Sequence, residues 1–242
     1  MLAEKPIAKD VATAEELVSW TADSANTNAS YSVAENFRYL DSFVYAAEQL
    51  KLLGRVLSFR ARVSMFMAPG SKYYETSWRK VPEYQGGFLL DGGVHFVAGT
   101  RLLLEGAGEK VTRLSAFTAQ MQQHLPPVDT LHASLQVDSG ASGTLSVSVG
   151  TTDSGSEYVV AAEKGTVTVL RGKVVVTQDG KSEQKEFPDE GSGVKQEVKA
   201  WAEGLAQGKP NERQSPQEAL EDLKILEAAL RSGEQGGKPI EI

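Results

Sequence analysis

The chain has 242 residues, 40% of them hydrophobic and 24% charged, which is enough for a substantial buried core and too apolar for a disordered segment. A formal net charge of -7 works against nucleic acid and anionic membranes, and the lack of cysteine excludes disulfides, thiolate metal ligands and a cysteine nucleophile. The N-terminal MLAEKPIAKDVATAEELV has no apolar run of the signal-peptide kind, and no stretch approaches about eighteen consecutive apolar residues, so the reading is a cytoplasmic protein without a membrane segment.

Residues 12–22 have helical composition, and Thr13 with Glu16 offers a capping box at the start. Residues 29–37 read as a short strand and 40–54 as a helix stopped at Gly54. From 55 to 66 the period changes to two, with Leu57, Phe59, Ala61, Val63 and Met65 on one face and Ser58, Arg60, Arg62 and Ser64 on the other. The stretch GGFLLDGGVHF, 86–96, then sets Asp91 and His95 four residues apart. On a helix beginning near Leu90 they share a face one turn apart, roughly 5–6 Å between Cβ atoms, a pair suited to handling protons.

Further strands are predicted at 111–119, 130–138, 142–150, 157–163, 165–171 and 173–178, with hairpin turns at 138–141 and 171–173. Helices at 193–207 and 215–231 close the chain. Strands joined by short turns, with few intervening helices, imply an α+β fold: a large, mainly antiparallel sheet covered by helices on one face. The other face, rich in Ser134, Thr144, Ser146 and Ser148, reads as solvated, with a wet dimer contact as the alternative.

Neither G-x-G-x-x-G nor a P-loop occurs, and the Gly106–Gly108 and Gly191–Gly193 pairs lack the third glycine that cradles a pyrophosphate. His124 reads as a loop residue and His132 as an outward strand residue. The three histidines are too far apart in sequence to suggest a metal site.

Three stretches together carry a resemblance: AEKPIAKD at 3–10, AENFRYL at 34–40 and TSWRKVPEYQGGFLLDGGVHF at 76–96. In this order and spacing they resemble the EKP motif, the N-x-R segment and the D-x-x-x-H helix of the Gfo/Idh/MocA oxidoreductases, the family of glucose–fructose oxidoreductase and inositol dehydrogenase. The resemblance covers nearly the whole chain. It implies a remnant of a Rossmann nucleotide-binding domain at 1–39 and a C-terminal substrate, catalytic and oligomerisation domain at 40–242. In the family a Rossmann domain precedes the EKP motif, so most of that domain is expected to be missing.

The same resemblance assigns roles. Lys5 would polarise the reacting oxygen between nicotinamide and substrate, with Pro6 beside it on the cofactor side. His95 would exchange the hydroxyl proton, and Asp91 would orient and tune it. Arg38, Trp78 and Arg79 match positions that border the substrate pocket, and the loop 67–85 would set which substrate. Apart from the resemblance, loss of the nucleotide half would open the former cofactor cleft, with Tyr39, Tyr73, Tyr74, Trp78 and Phe88 as an aromatic rim for substrate. No cofactor is expected for the chain alone, and NAD(P) if a Rossmann domain completes it.

Three functions follow as expectations. The chain is the substrate portion of an NAD(P)-dependent oxidoreductase acting on a hydroxylated small molecule. Or it is a cofactor-independent isomerase, lyase or cyclase using the opened pocket. Or it is a non-catalytic, regulatory homo-oligomer joined through the sheet face. Neither nucleic acid nor membrane is an expected partner.

Overall fold

The computed structural model describes residues 1–23, 30–82 and 87–242. Ala29, at the head of the strand expected at 29–37, and residues 83–86, the end of the substrate loop and the first glycine of the pair before Phe88, lie outside the described residues.

The chain begins with a strand–helix–strand unit. Strand β1 (Leu2–Glu4) pairs in parallel with β2 (Ser32–Ala34), and helix α1 (Val11–Ala22) lies between them in sequence. The cap of α1 is Asp10, whose carboxylate accepts the Thr13 N–H at 2.8 Å, so the helix starts earlier than a box on Thr13 would allow. A 3₁₀ turn, Asn36–Tyr39, follows β2 and leads directly into helix α2 (Asp41–Leu50).

The main sheet contains β3 (Val56–Phe66), β4 (Val111–Ala119), β5 (Thr130–Val137), β6 (Ser142–Ser148), β7 (Gly150–Ala162), β8 (Gly165–Leu170), β9 (Lys173–Gln178), β10 (Lys181–Glu186) and β11 (Ile240–Glu241). Its nine strands run in the order β10-β9-β8-β7-β3-β6-β5-β4-β11, and β3–β6 is the parallel pair among otherwise antiparallel neighbours. This is the α+β sheet that the hairpin spacing implied. Strand β10, KSEQKE, was not expected: every residue is exposed, so it carries no alternation, and its pairing with β9 alone makes it an edge.

The remaining helices are the short α3 (Ser77–Lys80), α4 (Gly87–Gly106), α5 (Val194–Ala206) and α6 (Pro216–Glu234), and α2, α4 and α6 contribute to one continuous core with the inward residues of β3 to β9. The alternation in β3 holds from Phe59 onward, but Leu57 is exposed and Val56 buried, because a bulge between Val56 and Ser58 shifts the register. On the opposite face Ser134 and Thr144 are exposed, whereas Ser148 is buried against the Thr130 hydroxyl at 2.7 Å. Helices α2 and α4 meet at glycine: a Cβ on Gly106 would stand 2.6 Å from the Ala47 carbonyl oxygen. That close approach fixes the depth of α4, and with it the positions of Asp91 and His95.

Candidate functional site

Lys5 leaves the end of β1 and reaches α4. Its ammonium donates to the Asp91 carboxylate and to the Asp91 carbonyl oxygen, both at 2.7 Å. The second carboxylate oxygen of Asp91 accepts from Arg79 Nε at 2.8 Å. Burial works to raise the Asp91 carboxyl, but the hydrogen bonds and charges of Lys5 and Arg79 outweigh it and hold the group below its usual range. Arg79 is itself braced, its guanidinium lying 4.1 Å from the centre of the Trp78 ring. Lys5, Pro6, Ser77, Trp78, Gly87 and Asp91 line an open cavity of about 660 Å³. Its size is in the range of small-molecule sites.

His95 lies one turn further along α4 and is not among the residues lining that cavity. Its Nδ1 is 2.6 Å from Glu35 Oε1, which also accepts the Phe37 N–H at 3.1 Å. The Phe37 ring stacks on the imidazole, 5.2 Å between centres and 17° from parallel. A carboxylate can only accept, so Nδ1 carries the proton and Nε2 presents its lone pair. The expectation that Asp91 orients His95 is therefore corrected: Asp91 is engaged by Lys5 and Arg79, and the acid that fixes the imidazole is Glu35.

Glu35 is 1% exposed, at the junction of β2 and the 3₁₀ turn, and its Oε2 has no hydrogen-bond partner among the described residues. Its charge is felt nearby. Burial first, and then the charges of Glu35 and Glu4, push the Glu197 carboxyl on helix α5 (Val194–Ala206) up to about 7. The Tyr158 hydroxyl is also raised, by burial and then by Glu35.

A model of the oxidoreductase family's C-terminal alpha/beta domain, GFO_IDH_MocA_C, matches residues 48–242. The chain belongs to the Gfo/Idh/MocA oxidoreductases. It is 39% identical to Dehydrogenase FPY6 of Fusarium mangiferae over 239 residues, which is 96% of this chain and 68% of that protein. A crystal structure of an oxidoreductase from Thermotoga maritima superposes with a TM-score of 0.86 at 30% identity, covering 99% of this chain and 70% of that one. Levoglucosan dehydrogenase, solved in complex with NADH and levoglucosan, shares the fold at a TM-score of 0.82 and 15% identity, covering 100% of this chain and 73% of that one.

Within this Gfo/Idh/MocA chain the remaining substrate-binding candidates divide. Trp78 lines the Lys5–Asp91 cavity, and Arg79 reaches it only through its bond to Asp91. Arg38 does not: it is buried, ion-paired with Asp222 of α6, and donates to the carbonyls of Arg213 and Glu218 at 2.9 and 2.8 Å. With Arg101, which bonds Asp222 Oδ1 at 2.7 Å, it ties the 3₁₀ turn and α4 to α6. Tyr39 is buried too, its hydroxyl donating to Asn211 at 2.9 Å. Tyr73 is exposed beneath the cations of Lys72 and Arg79. Tyr74 packs edge-on to His124 and beside a small cluster of Phe88, Leu125 and Val149. Of the five aromatic residues expected to rim the opened pocket, Trp78 lines the Lys5 cavity and Tyr39, Tyr73, Tyr74 and Phe88 do not.

Glu35 is the residue that the sequence did not single out. Its signal is an acid set directly after the apolar run Ser32–Ala34, at the edge of the segment that carries the N-x-R resemblance. Nothing in the sequence says that its partner is sixty residues away.

Proposed function

We propose that the chain is the substrate-handling part of an NAD(P)-dependent dehydrogenase that acts on a hydroxylated small molecule of the sugar or polyol kind. The observation that carries this is the meeting of Lys5 and Asp91 at one open cavity, with Arg79 bonded to Asp91 and His95, held by Glu35, one turn further along the same helix as Asp91. The dehydrogenase relative at 39% identity supports the reaction class, and the sugar-bound neighbour of the same fold is consistent with the substrate class.

The residues present fit the nicotinamide end of the cofactor. Lys5 and Pro6 border a cavity large enough for a ring and a small alcohol, and the exposed Trp78 supplies an apolar wall. No glycine-rich turn in these 242 residues suits the pyrophosphate, so that end would rest on a nucleotide-binding domain. When bound, the nicotinamide supplies the hydride acceptor.

An ammonium has three N–H donors, and two of those on Lys5 are spent on Asp91. The third has no partner among the described residues and is left to the substrate oxygen, where it stabilises charge as the hydroxyl proton leaves. Asp91 keeps the lysine aimed. His95 lies outside that cavity's lining, so the proposal has a substrate that extends past Asp91 to Nε2, which takes the proton while Glu35 stabilises the imidazolium that forms.

A second reading keeps the same groups without a nucleotide: Lys5, Asp91, His95 and Glu35 already comprise an acid/base set, which suits an isomerase or lyase. One experiment separates the two. A nucleotide-binding domain fused ahead of Met1 is expected to give polyol oxidation with NAD(P), lost in Lys5→Met and His95→Ala. Turnover by the unfused chain at an undiminished rate would favour the second reading, and polyol binding unaffected by Lys5→Met and Asp91→Asn would refute both.

A further inference from the structure

A second cavity, of about 360 Å³, shares no lining residue with the Lys5 cavity. It lies among the 3₁₀ turn, the start of α2, the middle of α4 and strands β3, β7 and β8. Its body is apolar, built from Phe37, Phe43, Val63, Phe96, Tyr158 and Val169. Arg171 stands at the rim, exposed, in the tight turn between β8 and β9, and its guanidinium has no ion-pair or hydrogen-bond partner among the described residues. Glu190 also borders the cavity, but it is buried and already satisfied, accepting from Ser42 N at 2.9 Å, Ser42 Oγ at 3.1 Å and Gly172 N at 3.1 Å. The uncommitted charge at the opening is therefore positive.

An apolar chamber of this size with one free guanidinium at its mouth selects an amphiphilic anion. The fork of N–H donors matches a carboxylate, and the aromatic walls take a flat or branched hydrocarbon body. We infer that this cavity binds a small carboxylic acid with a ring or branched-alkyl body, the carboxylate at Arg171 and the body against Phe37, Phe43 and Phe96. The inference is independent of the dehydrogenase reading, since it calls on none of Lys5, Asp91 or His95. The site nonetheless has a route to them: Phe37 both lines this cavity and stacks on the imidazole of His95.

The test titrates phenylpropanoate, its amide and phenylethylamine into the full chain while following the Val63, Val169 and Met65 methyl signals by NMR. The acid is expected to bind with a Kd of about 0.1–1 mM, as a ligand of this size allows, ahead of the amide and the amine. Arg171→Gln, in an exposed turn, is expected to weaken the acid about five- to tenfold and leave the amide unchanged. Ser154→Phe, at the exposed rim, is expected to weaken all three by closing the mouth, and Asp91→Asn to change none. Methyl signals that do not saturate, an amine that binds as well as the acid, or an acid indifferent to Arg171→Gln would each overturn the inference. Loss of binding in Asp91→Asn would overturn it as well, by making the two cavities one site.

Discussion

Replacing Glu35 tests which acid governs His95. The bond from Nδ1 to Glu35 Oε1 is 2.6 Å long and almost wholly out of water, since Glu35 is 1% exposed. A hydrogen bond to a charged group contributes about 1.5–3 kcal/mol, against about 1 kcal/mol for a neutral one. Glu35→Ala should therefore cost the Nδ1–H tautomer about 2 kcal/mol or more, which is about thirtyfold in population. Glu35→Gln keeps an acceptor of the same shape and should cost about 1 kcal/mol, close to fivefold. Global stability should move differently. The Glu35 carboxylate has an unpartnered oxygen and repels Glu197, so Glu35→Gln removes a buried charge that is poorly compensated. Its melting temperature should stay level or rise while the tautomer loosens. Histidine 15N shifts at neutral pH report the tautomer, and circular dichroism reports the melt. The reasoning fails if Asp91→Asn disturbs the His95 nitrogens and Glu35→Gln leaves them as they were.

Three further outcomes are expected. Asp222→Ala leaves Arg38 and Arg101 buried without their shared carboxylate, which should cost about 3–5 kcal/mol and lower the melting temperature by about 6–20 °C in a chain of this size. Gly106→Ala drives a methyl into the Ala47 carbonyl, so denaturant unfolding should show a loss of about 1–3 kcal/mol, more than the helix preference for alanine returns. Glu197 has its folded value raised from 4.5 to about 7, so between those values the folded chain holds a proton that the unfolded chain has released. Its contribution is complete below the unfolded value and is lost as pH rises through about 7. The denaturant midpoint should fall between about pH 4.5 and 7 in the wild type and level off above, and Glu197→Gln should flatten that slope.

The large elements were legible because their signals are local. The two-residue period from Phe59 to Val63 and the short turns at Gly140 and Gly172, both with positive φ, define an antiparallel sheet before any contact is known. The places where the sequence misled are those where tertiary structure overrides the local signal. The bulge at Leu57 reverses one side chain, and β10 forms from six exposed polar residues because β9 offers an unpaired edge. Arg38 shows the limit of motif matching. It sits in a segment that the family resemblance places near substrate, yet Asp222, 184 residues later, takes it as an anchor.

The exchange of partners around α4 has the same origin. Helical spacing puts Asp91 and His95 within reach of one another, and for an isolated helix that pair would be a reasonable prediction. Folding brings Lys5, from 86 residues upstream, and Arg79 to Asp91, and their bonds occupy both oxygens of its half-buried carboxylate. The energy of a charge pair exceeds that of a charge with a dipole at equal distance, and burial widens the gap. His95 is left to Glu35, an acid with no Lys or Arg ion pair among the described residues, which gains from a single N–H donor more than Asp91 would. The division has a chemical consequence. Lysine and histidine each receive a separate carboxylate, so under the proposed function the group that would steady the substrate oxygen and the group that would move its proton are tuned independently, and a substitution at one need not detune the other.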